Sequence, residues 1–388
     1  MKILFINDMY TVGGATKALV ELLMNLKKDG HTPIVCTSYY DDFNVFLDSQ
    51  DIVSIVDGHI SAMETVPDEQ KKRYDLKKRR YDYFKARLKA MKIITKSIDM
   101  SSIDLIHTNS IRNDVGCLLY KKYQIPHVMH IREFGQEDFG CVIHMPHYYH
   151  YLNKHSTMLL AVSKAVRMSA VSKGISSNKI RTLYDGVDFE GFNVKEKNCI
   201  NDERLSMVMV GGVDEAKGQH IAVKALARLP EKIREKTYLD IIGWNDPAYL
   251  EYLNLLIYSL QLKDHVRLLG NRNDVGQLLS NYHIGLMCSK CEGFGRVTAE
   301  YLYAGLGVIA ADTGASPELV HDGETGLIYR RDDPKDLADK IVRLYEHPEL
   351  LGFFGLKAHS FAKLNLTSQL NYRKTMHIYR SILGYDDH

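Results

Sequence analysis

The feature that most constrains the fold is a repeated unit: a short apolar run, a glycine-bearing turn, then apolar residues at helical spacing. Lys2-Ile3-Leu4-Phe5-Ile6-Asn7 reads as a buried strand and is followed by Val12-Gly13-Gly14-Ala15. Ala18, Leu19, Leu22, Leu23 and Leu26 predict an amphipathic helix that stops at Lys28-Asp29-Gly30, with glycine as its C-cap, before a second strand over 32–37. A strand–helix–strand opening of this kind implies a right-handed unit of a parallel sheet. Further strands are expected at 103–109, 126–130, 159–164 and 180–188, and, beyond a polar, irregular stretch at 189–203, at 206–210, 239–243, 266–270, 284–287 and 307–311. Alternation on both sides of one polar linker implies an α/β chain of two Rossmann-like domains facing a central cleft.

The segment after the apolar run Ile284-Gly285-Leu286-Met287 is the most informative: Cys291-Glu292-Gly293-Phe294-Gly295-Arg296-Val297-Thr298-Ala299-Glu300. Val297, Tyr301, Leu302 and Ala304 carry helical spacing, so Gly293-Phe294-Gly295 falls where a strand ends and a helix begins. Free N–H groups and the positive end of the helix dipole favour phosphate there, and glycine lets a ligand approach the backbone. The two glutamates are eight residues apart, a spacing that lets both reach along one ligand. An ordinary strand–glycine–helix turn accounts for the same residue types, so this stretch needs support from elsewhere.

Glu-x7-Glu enclosing Gly-Phe-Gly resembles the signature of retaining glycosyltransferases of family 4 (glycosyl transferases group 1), which have the GT-B fold. The resemblance implies a nucleotide-sugar donor, with Glu292 beside the donor sugar and Glu300 on the ribose hydroxyls. Gly211-Gly212-Val213-Asp214-Glu215-Ala216-Lys217-Gly218 resembles the family's Gly-Arg-…-Lys-Gly segment, except that Gly212 stands where arginine is usual. Lys217 would neutralise the diphosphate, and Arg296 or Arg272 is expected to supply the missing charge. Arg272, in the loop Asn271-Arg272-Asn273-Asp274, is placed near the base by the same resemblance. Gly13 and Gly14 match a glycine loop that approaches the donor phosphates, although a structural turn explains them equally well. His130-x-Arg132-Glu133 resembles the family's histidine segment, making His130 the expected partner of the donor sugar and His107 a residue behind it. His107, Asn109, His130 and Arg132 all fall just past or at strand carboxyl ends, where ligand crevices form in open α/β sheets. Asp185-Gly186-Val187-Asp188 departs from the usual Asn-Gly-Val-Asp, and a carboxylate there would repel phosphate if it faced the cleft.

The resemblance divides the chain into an acceptor-side domain at 1–190, joined by a helix at about 366–388 that returns to it, and a nucleotide-sugar domain at 204–365. With Glu292 and His130 as catalytic residues and Gly13, Gly14, Lys217, Arg272, Phe294, Gly295, Arg296 and Glu300 on the donor, it implies sugar transfer with retention of configuration. There is no Asp-x-Asp pair, so no metal is expected and no cofactor beyond the nucleotide-sugar, with a UDP-sugar favoured. The acceptor is expected to be a saccharide or a lipid-linked saccharide of a surface polysaccharide. The rival readings are a nucleotide-sugar epimerase or phosphorylase on the same scaffold and a non-catalytic sugar-nucleotide-binding subunit.

The remaining composition is consistent with this. With 388 residues, 45% hydrophobic and 25% charged, the chain has the make-up of a globular protein of two domains, and a net charge of +2 argues against nucleic acid as a partner. The opening run is too short and too soon interrupted for a signal peptide, and no apolar run nears the ~20 residues that span a bilayer. The expected location is the cytoplasm, including the inner face of the membrane. Residues 71–96 are strongly basic, with Leu76, Tyr83, Phe84, Leu88, Met91 and Ile94 at helical spacing; a solvated helix with one face on the core and a peripheral patch for anionic lipid both fit. Six scattered cysteines include one Cys-x-x-Cys pair, Cys288 and Cys291, without a second pair for zinc, and His144-x-x-His147-x-x-His150 is interrupted by Pro146.

Overall fold

The structure, a computed structural model, describes residues 1–8, 13–66, 74–194, 204–244 and 246–385. Val12 of the glycine turn, Lys71 to Arg73 of the basic run and 195–203 of the polar stretch lie outside these. The chain forms two compact units, Met1–Gly186 with Ser368–His388, and Val187–Thr367.

The first unit holds β1 (Lys2–Ile6), β2 (Thr32–Thr37), β3 (Val53–Val56), β4 (Met63–Thr65), β5 (Leu105–Thr108), β6 (His127–Ile131), β7 (Cys141–Ile143), β8 (Met158–Ala161) and β9 (Ile180–Thr182). Seven of these make a sheet in the order β3-β2-β1-β5-β6-β8-β9, parallel throughout, while β4 and β7 pair antiparallel. Ile3 and Phe5 pack with the helix Gly14–Lys28 on one face, and Leu4 and Ile6 join Ile34, Ile94 and Ile106 on the other. A sheet covered on both faces explains why its strands read as continuous apolar runs. The helix Ser368–Leu383 completes the first of these cores with Tyr372, Met376, Ile378 and Tyr379.

The helix Leu76–Ser97 corrects one sequence expectation. Its inward residues are Tyr83, Arg87, Ala90 and Ile94, whereas Phe84 and Leu88 are exposed. An arginine is stable in the inward stripe because Arg87 Nη1 lies 2.7 Å from the buried Asp114 carboxylate, and its guanidinium sits over the rings of Tyr83 and Tyr151, at 5.5 and 5.2 Å.

The second unit holds β10 (Leu205–Val210), β11 (Thr237–Ile242), β12 (Val266–Gly270), β13 (Ile284–Met287), β14 (Gly307–Ala311) and β15 (Gly326–Tyr329) in one parallel sheet, ordered β12-β11-β10-β13-β14-β15. The chain joins this unit from Val187 on: Phe189 stacks on Tyr303 with ring centroids 3.9 Å apart, and Phe192 meets the same ring edge-on. In each sheet the strand order reverses beside the first strand, between β1 and β5 and between β10 and β13. Such reversals leave a crevice at the carboxyl ends of the strands.

At the carboxyl ends of β10 and β11 the backbones touch. A Cβ on Gly243, whose φ is +156°, would lie 1.7 Å from the Gly211 carbonyl oxygen. Gly243→Ala is therefore expected to destabilise the second unit by about 3 kcal/mol or more. Gly30→Ala, also at positive φ but with open space around it, is expected to cost only about 1 kcal/mol. Chemical denaturation of both variants would check the contrast.

Candidate active site

In the second unit, the turn after β10 and the segment after β13 meet at the reversal point. The Lys290 N–H donates to the Ala216 carbonyl at 2.8 Å, tying the two together. Gly218, at φ +74°, lies so close that a Cβ would stand 2.2 Å from the Cys288 carbonyl oxygen. On the other side, the Ala315 N–H donates to the Glu292 carbonyl at 2.9 Å, and a Cβ on Gly314 would stand 2.4 Å from that oxygen. These contacts position the two side chains: Lys217 Nζ donates to Glu292 Oε1 at 2.6 Å. Burial pushes the Glu292 carboxyl up, but the Lys217 ammonium and hydrogen bonds from Lys217 and Ser289 outweigh it and hold the group below its ordinary value. Glu292 is thus an anion at neutral pH.

Next to this pair the helix Arg296–Tyr303 begins. Its N-cap is Gly295 at φ +87°, a residue with no side chain of its own to cap the helix. Phe294 is buried; Arg296 and Glu300 are partly exposed on the helix's first and second turns. Arg272 lies elsewhere. Its guanidinium makes two hydrogen bonds to Asp274, at 2.9 and 2.7 Å, and it lines a depression of about 300 Å³ with Tyr238, Asp240, Arg267 and Tyr282. Neither Lys217 nor Glu292 borders that depression. Gly212 is half-buried, and a Cβ there would meet only the Asp214 carboxylate, at 2.9 Å.

The first unit gathers the other expected residues at the ends of β1, β5 and β6. His107 and His130 are buried with ring centroids 5.5 Å apart, and His107 Nδ1 shares a hydrogen bond with the Tyr379 hydroxyl. Burial, then the Arg132 guanidinium, then the neighbouring imidazole keep His130 neutral, well below the ordinary histidine range. Its Nε2 has no hydrogen-bond partner among the described residues. Arg132 Nε donates to Asn109 at 2.9 Å, and Asn109 donates to Asn7 at 3.1 Å. Arg132 Nη1 donates to both Asp185 oxygens, at 2.6 and 2.7 Å, and both side chains are buried. Asp185 is therefore the counter-ion of Arg132, and its charge is already matched. Gly13 caps the helix Gly14–Lys28 through its backbone, at φ −80°, and Gly14 is that helix's first residue.

Two strongly perturbed groups in this unit had not been singled out from the sequence. Glu133 is buried against Ser110, and its carboxyl is pushed up to about 7, by burial above all. His59 Nδ1 is 2.6 Å from Asp57, and its Nε2 is 3.3 Å from Asp8, all fully buried. Burial opposes the charge on His59, but hydrogen bonds to Asp57 and Asp8 overcome it and push the imidazole up to about 9. Glu133 was visible only as a member of the histidine segment, and nothing in the sequence marked His59, because the strand before it, β3, is not evident from the residues.

Glycosyl transferases group 1 matches residues 192–358, and Glycosyltransferase Family 4 matches residues 12–190. The chain is a GT-B glycosyltransferase of these families. Among its relatives, an uncharacterized glycosyltransferase of Methanocaldococcus jannaschii is 26% identical over 281 residues, covering 71% of this chain and 75% of that protein. The N-acetylgalactosamine-N,N'-diacetylbacillosaminyl-diphospho-undecaprenol 4-alpha-N-acetylgalactosaminyltransferase of Campylobacter jejuni is 27% identical over 190 residues, covering 49% of this chain and 50% of that protein. Anabaena HepE, solved in complex with UDP, superposes with a TM-score of 0.79 at 20% identity, over 98% of this chain and 100% of that one.

Two outcomes are expected of this glycosyltransferase. Asp185→Asn, although it installs the residue usual in the family, strands the buried Arg132 charge and should cost about 3 kcal/mol or more, whereas Asp188→Asn, at an exposed position, should cost little. Denaturation of both variants checks this. Because the His59 value is raised on folding, its stabilising contribution is complete below 6.5 and lost as pH rises through about 9. His59→Gln should therefore flatten the fall in thermal stability across that window, read from melting curves at successive pH values.

Proposed function

We propose that the enzyme transfers a sugar from a nucleotide-sugar, a UDP-sugar first, to a saccharide or lipid-linked saccharide acceptor with retention of configuration and without a metal. The observation that carries this reading is the Lys217–Glu292 pair, clamped at the reversal point of the second sheet beside a helix N-terminus whose N-cap is a glycine. In the free enzyme Glu292 occupies the Lys217 ammonium; the donor diphosphate would compete for it, so the cation and the N–H groups at Gly295 would receive the leaving group's charge. Glu292 would then orient the donor sugar and offset positive charge as the transition state becomes oxocarbenium-like. His130, being neutral, would act as a hydrogen-bond partner of the sugar rather than as a charge. Arg132, held by Asp185, sits behind it.

The acceptor hydroxyl would approach the face that the diphosphate leaves, with a phosphate oxygen taking its proton. Glu300 would bind the ribose, with Phe294 and Arg296 beside the diphosphate, and Gly13 and Gly14 would be further donor-binding residues. Arg296, at the start of the helix beside Lys217 and Glu292, is the better placed replacement for the family's arginine, since Arg272 lines a depression that neither of them borders. HepE has also been solved with UDP-glucose, and the Campylobacter jejuni relative is named for a diphospho-undecaprenol-linked acceptor. The first supports a UDP-sugar donor and the second a lipid-linked acceptor; the role we propose is in cell-surface polysaccharide synthesis, in the cytoplasm or at the inner membrane face. Glycine at 212, where the family's arginine is usual, favours one second reading, a sugar-nucleotide-binding subunit that has lost catalysis.

Thermal shift against UDP-, GDP- and dTDP-sugars, with and without EDTA, tests the donor reading. A ligand at one hundred times its Kd stabilises the folded state by about 2.7 kcal/mol. UDP-sugars should raise the melting temperature, EDTA should change nothing, and Glu300→Ala should abolish the shift. With a working acceptor, Lys217→Met should lower kcat by about a hundredfold, and the product anomer should match the donor's. Donor binding without transfer to any saccharide or lipid-linked acceptor would favour the non-catalytic subunit. An inverted product, or a donor shift that EDTA removes, would overturn the proposed mechanism.

A further inference from the structure

The helix Leu76–Ser97 sorts its cations by type. Its three arginines are engaged with the first unit: Arg87 with Asp114 at 2.7 Å, Arg79 with Glu64 at 3.3 Å, and Arg80 through a hydrogen bond to the His144 carbonyl at 2.8 Å. Its six lysines, Lys77, Lys78, Lys85, Lys89, Lys92 and Lys96, are all exposed. Among those lysines stand Tyr81, Phe84 and Leu88, which are 67%, 40% and 49% exposed. Their spacing puts the three on one side of the helix, away from the Tyr83–Arg87–Ala90–Ile94 stripe. Lys77, Lys85 and Lys92 share that side by the same periodicity. Phe84 is also preset, because the Arg87 guanidinium lies 5.2 Å from its ring centroid. A helix that turns aromatic and aliphatic side chains outward inside a frame of lysines has no use for them in water.

We propose that this outward face is a docking surface for an anionic lipid bilayer. Lysine ammonium groups at the end of long apolar stems reach lipid phosphates while the stems stay among the headgroups, and Tyr81, Phe84 and Leu88 enter the boundary between headgroups and acyl chains. A nucleic acid would meet the lysines equally well but has no apolar layer for an outward leucine, and an acidic protein would need a matching apolar patch. No helix among the described residues is long and apolar enough to cross a membrane, and this contact requires none. The inference deepens the proposed acceptor reading, because a bilayer-docked enzyme meets a lipid-linked saccharide on the surface that carries it. It rests on a surface remote in sequence from Lys217 and Glu292, so vesicle binding and donor binding can fail separately.

Flotation of the full chain with vesicles of phosphatidylcholine containing phosphatidylglycerol, against vesicles of phosphatidylcholine alone, tests it. The protein should float with the anionic vesicles only, and added salt should weaken the association. Lys77→Glu/Lys85→Glu/Lys92→Glu should weaken it by about a hundredfold, at roughly fivefold per lysine. Tyr81→Ser/Phe84→Ser/Leu88→Ser should weaken it by about tenfold with all lysines in place. Lys232→Glu/Lys357→Glu/Lys363→Glu, an equal charge change in the second unit, should leave it intact. All variants must keep the parent's circular dichroism and its thermal shift with the donor nucleotide; where one does not, the corresponding alanine substitutions replace it. No flotation, equal flotation with neutral vesicles, or equal loss in the second-unit variant would overturn the proposal. So would an unaltered affinity in the serine variant, which would leave the lysines as a site for a polyanion such as duplex DNA.

Discussion

Everything at the proposed donor site depends on backbone approaching backbone. Where the second sheet reverses its strand order, the turn after β10 rests directly on the segment after β13, and Gly218 is what lets it do so. The next layer repeats the device, with Gly314 against the Glu292 carbonyl. A side chain at either place would push the turns apart by more than the length of a hydrogen bond's tolerance. Lys217 and Glu292 are 75 residues apart in the chain, yet their 2.6 Å contact follows from two glycines and two backbone hydrogen bonds. The arrangement is preorganised: a cation and an anion are held in place before any ligand arrives, which is the condition for electrostatic stabilisation of a leaving group.

The first unit handles its polar groups differently. Three sets of buried charges among its described residues are matched: Arg132 with Asp185, Arg87 with Asp114, His59 between Asp57 and Asp8. Buried ion pairs add little net stability, but losing one member is costly, so such pairs hold the chain to a single arrangement. The Arg132–Asp185 pair also sets the electrostatics of its surroundings. A guanidinium fixed 3.4 Å from His130 Nδ1 disfavours an imidazolium, so that ring offers hydrogen bonds and no charge. Aspartate at 185, where asparagine is usual, is then a consistent substitution, since it is the counter-ion that a buried arginine at 132 demands.

What was legible in the sequence is what local periodicity controls. The apolar runs of β1, β2, β10, β13 and β14, the glycines that close β10, β11 and β12 and the helix after Gly295 all follow from spacing and turn chemistry. β3 escaped notice because it is an edge strand with only Ile55 buried, and β4 and β7 because three residues carry no period. The stripe of Leu76–Ser97 was misassigned because hydrophobicity alone cannot foresee a buried arginine whose partner, Asp114, lies in a later segment. Asp185 was legible as a departure and illegible as a partner, since nothing in one sequence pairs it with Arg132. Glu292 and Gly295 were legible from the strand–glycine–helix spacing and Lys217 from its glycine turn, with their roles coming from the resemblance; the hydrogen bond that joins Lys217 to Glu292 is tertiary.

The closing helix has a bearing on how the protein is made. Tyr372, Met376, Ile378 and Tyr379 fill the same core as Ile3, Phe5 and Leu19, and the Tyr379 hydroxyl meets His107. A ribosome delivers those four side chains only after it has delivered all of Val187–Thr367. The second unit is continuous in the chain and can close as it emerges, whereas the first waits with one face of its sheet incomplete until Ser368–Leu383 has been made. The half of the enzyme synthesised first is thus the half that finishes folding last.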